Sequence, residues 1–446
     1  MTPAARIAAV IEILTEMKAA TATGHAAGRQ AGQWLRANLQ RRRYAGSSDR
    51  AAIGALFWKI QRHQARLGWH LQQNDWLLEP RSMVLAALLL IEQAQDGLDS
   101  LFSDAVAHAA AALSEDERAL VLRLTGAVLD HPDMPLWVRC EWPEWLVDDA
   151  AAGLGEDFAA GLAALCDEAP TDVRVNPLRQ PDRRKLRDQL AGRGIKADPT
   201  LLSPLGVRLM KRVRLEDLPE WKSGLFDVQD QGSQIAAMLC DARPGMQIAD
   251  ICSGAAGKAL VMAAAMQNKG RILALDTNVE RLEKGGARLR RAGIHNVERK
   301  LVAEKWSNRS WRAKFDRVVV DAPCSGTGTW RRQVDARWKL TPEMLADYHA
   351  KQAVLLDKAR AMVAPGGRII YITCSVLASE GKQQVDRLLA VAGELEPADI
   401  SEIWADTIGN AGGGACPATS ENMLQLTPLR DRTDGFFIAV FQARLR

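Results

Sequence analysis

The sequence predicts an α/β protein. Its core is a doubly wound parallel sheet closed by an antiparallel pair of strands, preceded by an all-α domain and a small basic α+β subdomain. Apolar positions recur at helical spacing, with no strand-like alternation, through the first 130 or so residues. From Gly224 onward, β-branched runs alternate with helical stretches, which is the pattern of a parallel sheet covered on both faces. The last two β-rich runs, MLQLTP and GFFIAVFQARL, have no long helix between them.

Bulk properties bound the reading. A chain of 446 residues with 47% apolar content is long enough for two or three domains with proper cores. The formal charge of +4 is weak, so a nucleic-acid partner has to be argued from local clustering. Seven cysteines without a CxxC pair argue against a zinc site or a disulfide framework and favour a reducing cytosol. The N-terminus, MTPAARIAAVIEILTEMK, carries acids within its apolar pattern. Even MVLAALLLI ends at Glu92, well short of the roughly 18 apolar residues of a membrane span. The expectation is a soluble cytoplasmic protein, a monomer, with no metal and no membrane contact.

In chain order, Ile7, Val10, Ile11 and Leu14 mark a first helix, and Ile53, Leu56, Phe57 and Ile60 another, with Ser48 and Asp49 as its N-cap signal. RRRYAGSSDR (41–50) reads either as a solvated loop or as an RNA-contacting one. Prolines and tryptophans cluster between Pro132 and Trp145, a connector packed by its aromatics. Residues 174–214 then carry twelve Lys/Arg against three acids, among apolar runs such as VRVNPL and LGVRLM, which suggests a phosphate-contacting surface. The resulting division is 1–135 all-α, 136–223 connector and basic subdomain, and 224–446 catalytic.

Within the last part, strands are expected at 246–252, 271–276, weakly at 297–302, at 315–322 and at 368–374, with helices at 278–292 and 342–363. A terminal antiparallel hairpin on such a sheet is the arrangement of class I (Rossmann-like) methyltransferases, which the ordinary dinucleotide-binding fold lacks. GNAGGGACPATS is too glycine-rich for regular structure and is expected to be a mobile loop.

The first strand runs into DICSGAAGKALVMAA, a strand–turn–helix whose small residues let backbone amides approach a ligand at a helix N-terminus. Asp276 ends the second strand 19 residues after Gly257, the spacing of an acid that holds ribose hydroxyls. The loop lacks GxGxxG and a Walker lysine context, so NAD and ATP fit poorly. A methyl donor with an adenosine and a carboxylate-bearing tail, S-adenosyl-L-methionine, fits better.

Two further runs, FDRVVVDAPCSGTG and RIIYITCSVLASEG, deliver Cys324 and Cys374 to adjacent strand ends. Cytosine carbon 5 is a poor nucleophile. A thiolate adding at carbon 6 moves electron density to carbon 5, which then attacks the methylsulfonium; a proton leaves carbon 5 and the thiol is eliminated. Asp321 is suited to stabilise ring nitrogen 3 and the exocyclic amine of such an adduct. This chemistry needs one thiol and leaves the other unexplained. An adenine amine would need neither, and the Asn/Asp-Pro-Pro-aromatic loop of that chemistry is missing.

On these residues the chain resembles the Sun-type (Nop/Sun) RNA cytosine-C5 methyltransferases. The likeness is carried by FDRVVVDAPCSG, YITCS, VRVNPL (Arg174, Asn176), FDVQDQGSQ (226–234) and DGFFIA, over about 170–440, and GSSDRAAIGALFWKIQRH is similar to a NusB-type antitermination domain. The resemblance implies S-adenosyl-L-methionine as cofactor and RNA, specifically ribosomal RNA, as partner. It gives attack to Cys374 and assistance of release to Cys324, and puts Asp321 at the cytosine and methionine end. Cys252, Ser253, Gly254, Ala255, Ala256, Gly257, Lys258 and Asp276 are the other expected cofactor residues.

The chain departs from that pattern in three places. Ala255 and Ala256 stand where the pattern has proline and glycine, and the added methyl should weaken cofactor binding if φ there is positive. The acid after the third strand is missing near Val302, with Glu304 as its expected substitute, and the histidine before the terminal strands is absent from LQLTPLRDRTDGFF. Two other readings stand beside the enzyme. A non-catalytic RNA-binding factor would fail to bind the methyl donor, and a DNA cytosine methyltransferase would use Cys324 as nucleophile and have no NusB-like domain.

Overall fold

The computed structural model describes residues 1–22 and 30–445. It separates into two compact units, Met1–Val147 with Arg332–Lys339, and Asp148–Arg331 with Leu340–Arg446.

The first unit is helical. Helices Pro3–Ala22, Ser47–Arg62 and Gln64–Gln72 surround Pro80–Leu90, which is buried from Ser82 through Leu90. A helix apolar on every face belongs in the middle of a bundle, and each buried Leu, Ile or Val there contributes about 1.5–3 kcal/mol. The helix expected to be capped by Ser48 and Asp49 begins slightly earlier, at Ser47, with Gly46 as N-cap. Asp49 acts from within the first turn, accepting the Gly46 N–H at 3.1 Å and the Arg6 Nε–H at 2.8 Å. In the basic run that follows the second helix, Arg42 pairs with Glu12, Arg41 with Glu16, and Arg50 donates to the Ala45 carbonyl. Arg43 and Tyr44 remain exposed.

The second unit holds two sheets. β1 (Thr171–Val175), β2 (Ala197–Pro199), β3 (Gly206–Leu209) and β4 (Phe226–Val228) form an antiparallel sheet in the order β2-β3-β1-β4, with its own core of Val173, Val175, Leu186, Leu190, Val207 and Phe226. Much of the basic run of 174–214 is spent on this fold. Arg208 pairs with Asp172 and Arg193 with Glu220, Arg183 donates to the Thr200 carbonyl, and Arg174 is buried. Arg184, Lys185, Lys211 and Arg214 stay on the surface.

The large sheet contains β5 (Gln247–Ile251), β6 (Arg271–Asp276), β7 (Val297–Leu301), β8 (Phe315–Asp321), β9 (Val363–Thr373), β10 (Leu395–Pro397), β11 (Met423–Leu426) and β12 (Phe436–Ala443). Their order is β10-β12-β9-β8-β5-β6-β7, with β11 also on β12. The strands from β9 to β7 pair in parallel, and β12 inserts antiparallel beside β9. This is the Rossmann-like methyltransferase sheet expected from the sequence. β7 gave a weak signal because it is the edge: Glu298, Arg299 and Lys300 are exposed, and charge on an edge strand blocks further pairing. The terminal hairpin forms, Leu426 opposite Phe436, but β10 was missed; three residues beside β12 carry too little periodicity to read.

The glycine-rich segment expected to be a mobile loop has no regular structure, yet it is tied down. Gly414 N–H donates to the Leu202 carbonyl at 3.0 Å, and the Trp404 indole donates to the Gly414 carbonyl at 2.9 Å. A side chain at Gly414 would come within 2.6 Å of the Leu201 oxygen, so glycine here serves close packing. Among the described residues no helix is long and apolar enough to cross a membrane.

Candidate active site

β8 and β9 are neighbours in parallel register, Asp321 opposite Ile372. The turns after them therefore leave the sheet side by side. Cys324 Sγ and Cys374 Sγ lie 3.4 Å apart, at the carboxyl edge where open α/β sheets bind ligands. The turn carrying Cys324 is held from both sides. Gln352 Nε2 donates to the Pro323 carbonyl at 3.0 Å and to Glu380 Oε1 at 3.1 Å, and Glu380 accepts the Ser325 N–H at 2.8 Å and its hydroxyl. Gly328 N–H donates to the Cys374 carbonyl at 3.0 Å, so the two turns share a backbone bond. The hydrogen bond between the two thiols, then burial, hold the Cys324 thiol well above the usual range.

Asp321, about a third exposed, receives the Lys258 ammonium at 2.5 Å. Burial opposes charge on Lys258, but Asp321 outweighs it and holds the amine above its usual value; Asp250 and Cys374 add to the pull. Lys258 thus joins the two cysteines and Asp321 in one cluster. Beneath it, Asp250 interrupts an otherwise apolar strand. Burial, then the Asp321 charge, push its carboxyl up to about 7, and neither oxygen has a hydrogen-bond partner among the described residues.

The loop from Cys252 to Gly257 opens the helix Gly257–Ala265. Its backbone is left-handed at Cys252, Gly254 and Ala256, with φ of 70°, 55° and 62°. The condition set by the sequence is met: Ala256 holds a conformation that favours glycine, at a cost of about 1–2 kcal/mol. The loop is pinned to β6, with Ser253 N–H on the Leu275 carbonyl at 2.8 Å and Gly254 N–H on Asp276 Oδ2 at 2.7 Å. A cavity of about 670 Å³ opens beside it, walled by Cys252, Asp276, Val302, Glu304, Trp306 and Leu355 among others. That volume suits a nucleoside-sized ligand. Asp276 spends one oxygen on Gly254 and the other on the Asn278 N–H, which leaves lone pairs for ribose hydroxyls. The partnerless Asp250 carboxylate is a second fit, to a ligand carrying an ammonium group. Glu304 stands where the missing acid was expected to be replaced. The Cys252 thiol is pushed up to about 12 by burial and then by Asp276, so it lines the cavity as an inert wall.

The structure thus gathers Cys324, Cys374, Asp321 and Lys258, and separately sets Cys252, Asp276 and Glu304 around the cavity. Ser253, Gly254, Ala255, Ala256 and Gly257 form the loop between them. Sequence reasoning missed Glu380, Gln352 and Trp306. Glu380 had a readable signal, an acid six residues past Cys374 in the same quoted run. Gln352 had none, because a lone glutamine in a helix looks like surface. Among the described residues no cluster of His, Cys, Asp or Glu is placed to hold a metal ion.

A model described as 16S rRNA methyltransferase RsmB/F matches residues 237–442, and one described as an RsmF/B-like ferredoxin-like domain matches 142–216. Ribosomal RNA small subunit methyltransferase B of Xanthomonas campestris is 30% identical, over 88% of each chain. The protein of that description in Xylella fastidiosa is 34% identical, over 67% of this chain and 68% of its own. Among solved structures, PH0851 superposes with a TM-score of 0.75 at 20% identity over 99% of both chains. NSun6 from Pyrococcus horikoshii with SFG gives 0.58 at 17% identity, over 68% of this chain and 98% of its own. At those identities the structures show a shared fold.

Proposed function

Since the chain belongs to the ribosomal RNA small subunit methyltransferase B family and takes S-adenosyl-L-methionine as its methyl donor, we propose that it forms 5-methylcytosine in ribosomal RNA through a covalent cysteine–cytosine adduct. The observation that carries this reading is the pair of thiols 3.4 Å apart, the Cys324 thiol held protonated, beside a lysine-held carboxylate.

In this reading Cys374 Sγ, as the thiolate, bonds to carbon 6 of the cytosine. Asp321, oriented by Lys258, accepts from the exocyclic amine and stabilises the ring as electrons move toward carbon 5. The donor, when bound, supplies an electrophilic methyl group. Carbon 5 forms the new carbon–carbon bond and then loses its proton, and the returning electron pair expels the Cys374 thiolate. Cys324, the protonated partner, assists that release. The base has to be splayed or flipped out of its stack to reach the thiols.

Cys252 to Lys258, Asp276 and Asp321 are the proposed cofactor contacts. The surface Arg and Lys of the small sheet, with Arg43 and Tyr44 of the helical unit, are the proposed contacts to the RNA backbone. The division at 135 and 223, a monomeric state and a cytoplasmic location belong to the same proposal. It is tested by methylating ribosomal RNA with labelled donor and digesting the product to nucleosides. Label in 5-methylcytidine is the expected result; label in any other nucleoside overturns the reading.

A further inference from the structure

The cofactor loop carries a strained residue. Ala256 sits at φ 62° and has lost the conformational freedom of glycine, and Ala255 has no ring to fix its backbone. Ser253 and Gly254 are pinned to β6, and Ala256 N–H donates to the Ser253 carbonyl at 2.9 Å, but the Ala255 and Gly257 carbonyls are held only from elsewhere. Two arginines from outside it supply the restraint. Arg288, on the helix Val279–Ala292, donates from Nη1 to the Ala255 carbonyl at 2.8 Å and from Nε to Asp227 Oδ2 at 3.0 Å. Asp227 is buried at the end region of the small sheet, where Arg291 Nη2 also lies 3.0 Å from the same oxygen. Arg174, buried on β1 and pulled down to about 10 by burial and then by Arg288, donates from Nη1 to the Gly257 carbonyl at 3.3 Å. Gly285 completes the seat: a Cβ there would come within 3.2 Å of the Ala255 carbonyl carbon and 3.3 Å of the Ala256 methyl. The helix therefore lies directly on the two residues that depart from the family pattern.

We infer that Arg288, oriented by Asp227, is a positioning residue for methyl-donor binding, holding the 252–257 loop through the Ala255 carbonyl in the shape its own residues no longer enforce. Arg288 touches no reacting atom in this account. Its removal therefore changes how tightly the donor binds and leaves the rate of the bound complex alone. This rests on donor binding only and is independent of the cysteine chemistry.

Three measurements on the full chain test it: titration calorimetry with S-adenosyl-L-methionine, methyl transfer at saturating donor, and thermal melting. Arg288→Ala should weaken donor binding by roughly tenfold or more, the effect of losing one charge-assisted hydrogen bond at a loop. The saturated rate should stay within about twofold of the parent, since no transition-state contact is lost. Arg288→Lys, which reaches one of the two partners, should recover part of the affinity. Ala256→Gly in the Arg288→Ala background relieves the left-handed strain and should also recover part of it. Donor affinity within about twofold of the parent in Arg288→Ala would overturn the inference. So would a loss of affinity that neither Arg288→Lys nor the added Ala256→Gly restores.

Discussion

Replacing Glu380 with alanine is expected to loosen the turn that carries Cys324. Glu380 is fully buried and accepts the Ser325 N–H at 2.8 Å, the Ser325 hydroxyl and the Gln352 amide at 3.1 Å. The hydroxyl can rotate to another acceptor, and Gln352 keeps its bond to the Pro323 carbonyl. The Ser325 N–H and one Gln352 proton are left buried without partners, at about 1–3 kcal/mol each, so the loss should be about 2–6 kcal/mol. For a unit of this size that lowers Tm by roughly 5–10 °C. Differential scanning calorimetry measures the shift. Glu380→Gln, which keeps an acceptor of the same shape, should lose markedly less. A Glu380→Ala protein melting within about 1 °C of the parent would refute the reasoning, because buried donors would then have found other partners at no cost.

Three further expectations follow from the same cluster. Lys258→Met should destabilise by about 3 kcal/mol, since it leaves the Asp321 carboxylate without its cation; in a double-mutant cycle with Asp321→Asn the losses should fall short of additive, and strict additivity would deny the 2.5 Å pair. Asp250 holds its proton up to about pH 7 when folded, against an ordinary value of 3.8. Between about pH 4 and 7 the native state thus binds more protons than the unfolded one, and this group makes stability fall with rising pH, by up to about 1.4 kcal/mol per unit. Urea midpoints for Asp250→Asn should lack that slope, so parallel curves for parent and variant would contradict the assignment. Gly328→Ala puts a methyl 2.2 Å from the Gly435 carbonyl oxygen, a backbone atom that cannot rotate away. A loss of about 1–3 kcal/mol is expected, and an unchanged melting curve would show that the turn has room to move.

Much of this was legible because the large sheet is written in local signals. β5, β6, β8 and β9 are β-branched runs of parallel-sheet length, and their ends name Asp276, Asp321, Cys324 and Cys374 directly. What could not be read depends on contacts between distant segments. Lys258 was expected at the cofactor, but its ion pair with Asp321 is one that no spacing predicts. The basic run of 174–214 read as a single phosphate surface, yet Arg174, Arg183, Arg193 and Arg208 are spent inside the fold, because folding brings them to Gln229, Thr200, Glu220 and Asp172, none of them a near neighbour in sequence. The cap of the helix Ser47–Arg62 was misplaced by a residue or two because Asp49 caps from inside the turn. The left-handed φ of Ala256 was posed as a condition, and only coordinates could answer it.

The central claim is the division of labour between two thiols 3.4 Å apart. Incubation of each cysteine variant with ribosomal RNA and S-adenosyl-L-methionine, followed by a denaturing gel, tests it most directly. With attack by Cys374 and release assisted by Cys324, Cys324→Ala should accumulate a covalent protein–RNA complex, and Cys374→Ala should give neither complex nor methyl transfer. A stable complex formed by Cys374→Ala instead would contradict the account.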